Sequence, residues 1–155
     1  MALTLFIYLL ALVSWLGGMI FFIVTTATIF ATLPLPEAGK VLAALFPRYY
    51  LLGYIAGIVA SLLAVYFTVA YAPKLWWGFA SIALLAALAL TLYAGVIIRP
   101  RVEAVRTVNE EPNPDPARKA EFDRLHQLSV RLNGAVILLN LIALATTAAA
   151  VSRHS

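Results

Sequence analysis

Four polar residues in the C-terminal third of this chain share one helical face. Ser129, Asn133 and Asn140 follow His126 at 3, 7 and 14 positions, and at about 100° per residue they form one line. A histidine at the foot of such a stripe can pass a proton, ligate a metal or haem iron, or make a pH-sensitive contact. Asparagine in an apolar helix needs partners for both its carbonyl and its amide. It therefore either lines a ligand or ion path or bonds one helix to the next. Both roles stay open at this level, as does a plain hydrogen-bonding role for His126.

Arg131 lies on the same helix, five residues beyond His126. Its side chain can snorkel to phosphate headgroups, pair with an acid such as Glu37 or Asp123, or hold an anionic ligand. Glu37 is the only acid outside the region from residue 99 to the start of the last helix, which makes it the natural counter-charge on that side. Thr25 and Thr28, with Thr32 continuing the line, can bond back to their own helix or line a vestibule.

Catalytic chemistry finds little to stand on. The chain has no cysteine, which removes thiolate nucleophiles and thiolate metal sites. There is no HExxH, no GxSxG and no pair of intramembrane carboxylates. His126 is accompanied only by His154 in the tail, so no metal-ligand set is visible. The expectation is a protein that is not an enzyme, has no catalytic residues, and carries no cofactor, with haem or a metal as the minor alternative.

The elements that position these residues are transmembrane. Of 155 residues 63% are hydrophobic and 12% charged, against roughly 45–50% and 25% in soluble domains. Helical segments extend over about 3–33, 49–71, 75–98 and 117–151, the third with Val102, Val105 and Val108 spaced to continue the helix to about residue 108 and the last amphipathic to Arg131 and uncharged from Leu132 to Val151. Each is long enough to span a bilayer, and their unbroken apolar character favours helices over a barrel. The fold expected is all-α, a single four-helix transmembrane domain over 1–155. The first run continues well past a signal-peptide core and has no basic residue before it, so it reads as a retained helix.

Small residues suggest how the helices meet. Gly53, Gly57 and Ser61 repeat every four positions, and Gly17 and Gly18 stand beside Trp15; such positions let helix backbones approach closely in lipid. Residues 34–48 read as a loop holding a short interfacial helix over Val41–Phe46, and Pro73 with Lys74 forms a tight turn.

Charge sets direction. Loops 34–48 and 99–124 hold eight Lys and Arg, against Lys74 and Arg153 on the other side. The positive-inside rule then puts both loops in the cytoplasm and both termini outside it, in a cell membrane. The formal charge of +4 suits lipid headgroups rather than nucleic acid.

Four segments carry a resemblance: SWLGGMIFF (14–22), AGKVLAALFPRYY (38–50), RPRVEAVR (99–106) and FDRLHQLSVRLN (122–133). In these the chain resembles the transmembrane protein 205-like family, an uncharacterised membrane domain of the DUF4149 type. The last segment is the most specific, with Phe122, Leu125, His126, Ser129 and Asn133 at the family spacing. The resemblance implies a four-helix membrane protein and brings no enzyme motif. It extends distantly to copper-resistance D-like and haem-related membrane proteins, which hold histidines inside their helices; this chain has none in its first three.

Two functions follow as expectations. One is a bundle for permeation or binding of a small solute or ion, lined by Asn133, Asn140 and the threonines, with a homo-oligomer as the way so thin a bundle forms a pore. The other is a structural or accessory membrane protein with a basic cytoplasmic docking face. A haem- or metal-linked redox protein stands third.

Overall fold

The computed structural model describes residues 2–111, 113 and 115–153, without the side chains of Asn109 and Glu110. His154 and the prolines 112 and 114 lie outside the described residues. The described chain is entirely helical apart from its turns: α1 (Ala2–Thr32), α2 (Leu35–Ala70), α3 (Lys74–Leu92), a π-turn (Tyr93–Ile98), α4 (Arg99–Val105), a 3-10 turn (Arg106–Glu110) and α5 (Pro116–Ser152). Four stretches are long and apolar enough to cross a membrane, Ala2–Thr32, Leu35–Ala70, Lys74–Val108 and Pro116–Ser152. The protein is an all-α, four-helix membrane-spanning bundle.

The outer surface supports that reading directly. Phe21, Leu62 and Ile82 are each at least 65% exposed and Leu138, on the last helix, 58%, so each of the four spans turns large apolar groups outward. Water would penalise this arrangement at about 25 cal/mol per Å² of apolar surface, whereas acyl chains do not.

Inside, small residues meet large ones. The buried faces of α2, α3 and α5 are built from Gly53, Ala56, Gly57, Ala60 and Ala64, from Ala80, Ala83 and Ala87, and from Ala143, Thr147 and Ala150. Their backbones can therefore come close. Against this wall α1 supplies bulk: Tyr8, Leu12, Trp15 and Met19, each no more than 3% exposed. Chain order is spatial order, since α1 packs on α2, α2 on α3 and α3 on α5, with a lighter contact closing α1 onto α5.

The second helix differs from its sequence reading. Instead of a loop over 34–48, the helix begins at Leu35 and runs through Pro47 to Ala70. Pro36 falls in the first turn, where no backbone N–H is needed. Pro47 lacks the N–H that would bond the Ala43 carbonyl, yet the helix continues through it; one residue on, the Ala44 carbonyl accepts from the Arg48 guanidinium at 3.0 Å. The third span passes through the π-turn into α4, and α5 starts with Asp115 accepting from the Ala117 N–H at 3.1 Å, a side-chain N-cap.

Candidate functional site

The charged end of the bundle holds a group of polar and aromatic side chains from three helices. Tyr49 on α2 donates its hydroxyl to Asn133 Oδ1 on α5 at 2.6 Å. The Asn133 amide in turn donates to the Ser129 carbonyl, one helical turn back, at 2.9 Å. The Tyr50 hydroxyl lies within reach of the Ser129 and Asn133 side chains. Phe22 stacks on Tyr49 with ring centroids 4.3 Å apart and also packs on Phe46, which ties α1 into the same group.

The π-turn of the third span makes room for the tyrosines. A π-turn inserts one extra residue and widens the helix locally, and here Gly95 lies within it. A Cβ at Gly95 would collide with the Tyr54 hydroxyl and come within 2.6 Å of the Tyr50 ring. Glycine therefore permits the two tyrosines to lie against the third span. Arg99 follows directly after the turn and is half-buried.

The sequence-derived residues fall into distinct places. His126 is exposed, its ring parallel to that of Phe122 with centroids 5.8 Å apart. The stripe it begins turns inward along α5: Ser129 and Asn133 are half-buried and Asn140 is fully buried. Asn140 donates to the Val136 carbonyl at 2.9 Å, while its Oδ1 is buried without a partner. Glu37 and Arg131 are exposed and make no ion pair with each other. Thr28 donates to the Val24 carbonyl at 2.9 Å on its own helix, and Thr32 does the same to Thr28 at 2.8 Å. Thr25 is half-buried; the Oγ1 of its neighbour Thr26 is buried and unpartnered.

The packing residues come together around one indole. Ideal Cβ atoms on Gly53 and Gly57 would lie 3.4 and 2.9 Å from the Trp15 ring, so that ring rests on the glycine face of α2. Ser61, the third member of the repeat, is buried with its hydroxyl unpartnered. Gly18 faces Leu52, whereas a Cβ on Gly17 would meet nothing; the two adjacent glycines point to different surroundings. Beside Trp15 a cavity of about 10 Å³ is lined by Gly18, Met19, Tyr49, Leu52, Gly53 and Thr91, room for about one water.

Other interhelical bonds gave no sequence signal. Tyr8 and Thr147 share a hydrogen bond of 2.7 Å between α1 and α5, and Thr68 and Ser81 one of 2.8 Å between α2 and α3. A tyrosine in an apolar run looks like any belt aromatic until its partner is known. The only hint was that hydroxyls at membrane depth need acceptors.

Among the described residues no three His, Cys, Asp or Glu side chains stand together as a metal ion would need. The arrangement offers hydroxyl and amide hydrogen bonding at one end of the bundle, backed by aromatic stacking. No curated protein and no solved structure matches the chain. Residues 10–111 match the family described as Domain of unknown function (DUF4149). That span covers three of the segments on which the sequence resemblance rests; FDRLHQLSVRLN at 122–133 lies beyond it. With about two thirds of its length matched, the chain belongs to the DUF4149 family.

Proposed function

We propose that the protein is an accessory membrane bundle, one that works through its outer helix faces and its charged end rather than as a conduit through its own centre. The observation carrying this reading is how the interior is filled. Trp15 seats on Gly53 and Gly57, Tyr49 bonds Asn133 near the charged end, and Tyr8 bonds Thr147 toward the other. Of the side chains that would line a path, Asn133 is taken up by Tyr49 as an interhelical hydrogen bond, and Thr28 and Thr32 bond their own helix. In this proposal the termini face away from the cytoplasm and the loops rich in Lys and Arg face it. The distant likeness to copper-resistance proteins gains no support.

Purified protein in liposomes is expected to raise the flux of small ions and neutral solutes no more than protein-free vesicles, and to retain a membrane partner in mild detergent. Saturable, solute-selective flux overturns the proposal.

A second reading has one specific observation in its favour. Asn140 Oδ1 is buried without a partner, and a buried carbonyl oxygen is a costly thing to leave unmatched. A small ligand with a donor group, or a path between copies of the chain, would use it. Loss of a bound species or of flux on Asn140→Leu, with the fold intact, is the outcome that selects this reading.

A further inference from the structure

Arg99 is the first charge after an uncharged run from Leu75, so it stands where the third span leaves the apolar zone. It is half-buried and makes no ion pair among the described residues. The nearest acid along the chain, Glu103, is engaged by Arg106 at 3.0 Å. One turn before Arg99, Gly95 cradles the Tyr54 hydroxyl and the Tyr50 ring, so both tyrosines lie against the end of the third span that carries Arg99. Tyr50 is buried. The Tyr54 hydroxyl has no hydrogen-bond partner among the described residues, and Tyr54 is only half-buried. Alongside, α2 and the third span turn Leu51, Ile58, Leu92 and Val96 outward.

We propose that this corner between α2 and the third span binds one anionic phospholipid, its phosphodiester on the Arg99 guanidinium and the Tyr54 hydroxyl and its acyl chains along the apolar groove below. An unpaired guanidinium at the edge of hydrocarbon lacks acceptors, and a phosphodiester supplies them in the geometry the planar fork prefers. The tyrosine adds a neutral donor held in place by the glycine cradle. Basic pockets between transmembrane helices are a recurring setting for anionic headgroups. The continuous apolar rim selects a lipid over a free phosphate ion.

The test is a lipid titration of the full chain in mild detergent, reading the melting temperature against added phosphatidylglycerol, phosphatidylcholine or inorganic phosphate. Phosphatidylglycerol is expected to raise the melting temperature well above the effect of the other two. Arg99→Gln is expected to move the phosphatidylglycerol midpoint about tenfold higher, the loss of one charge-assisted contact. Tyr54→Phe, which keeps the ring and its packing, is expected to shift the midpoint in the same direction by less, and it carries the test if Arg99→Gln does not fold. Arg124→Gln, an exposed charge on α5, keeps the wild-type midpoint. Equal shifts from phosphatidylcholine or from phosphate overturn the proposal. So does a wild-type midpoint in every foldable variant, or a tenfold change in Arg124→Gln.

Discussion

Replacing Gly57 with leucine forces side-chain atoms into space that the Trp15 ring already occupies, since even a bare Cβ there sits 2.9 Å from it. Over-packing of this kind costs about 1–3 kcal/mol, and a lowered melting temperature of the purified protein is the expected readout. Gly17→Leu is the matched control: a Cβ at that position meets nothing, and the change is expected to stay within about 0.5 kcal/mol. The two glycines are the same residue type in the same kind of apolar helix, and only what each faces in the bundle, the Trp15 ring or open space, separates them. The hydrogen bond from Tyr49 to Asn133 is tested by a double-mutant cycle with Tyr49→Phe and Asn133→Leu. A coupling energy of about 0.6 kcal/mol, the usual size for such bonds in membranes, is expected; additivity of the two changes would remove this bond from the account.

At the level of elements, the π-turn Tyr93–Ile98 decides what the third span presents at the charged end. Gly95→Ala adds a Cβ that collides with the Tyr54 hydroxyl and approaches the Tyr50 ring to 2.6 Å. The expected outcome is a loss of about 1–3 kcal/mol, partly recovered when Tyr54→Phe removes the nearest atom. Absence of any recovery would mean that Tyr50 alone sets the fit. Four membrane helices were legible from the sequence because length and unbroken apolar character are local properties. The start of α2 was not. Residues 34–48 read as a loop, yet Pro34 precedes the helix, Pro36 lies in its first turn, and Pro47 is carried within it. The π-turn left no trace either, because an extra residue in a helix changes hydrogen-bond register and not composition.

For the whole molecule, the expected orientation can be tested on a clean background, since the chain has no cysteine. Asn113→Cys and Ala72→Cys, both exposed positions at opposite ends of the bundle, are expected to react with a membrane-impermeant thiol reagent from opposite sides. In intact cells only Ala72→Cys is labelled, and Asn113→Cys becomes labelled after the membrane is opened. The reverse pattern would place the loops rich in Lys and Arg outside and overturn the topology.

The sequence by itself determined that this is a membrane bundle of four helices, because apolar length and backbone hydrogen-bond satisfaction in lipid leave no other economical arrangement. It also put the polar face on the last helix and the charge at one end. Which polar atoms meet was decided only in three dimensions. The stripe from His126 does not enter the bundle as a whole: His126 stays exposed beside Phe122, Asn133 finds Tyr49, and Asn140 is enclosed with one oxygen unmatched. Helical periodicity specifies which residues share a face. It does not specify the rotation of that face against its neighbours, which small-residue packing around Trp15 and the register of the π-turn settle together.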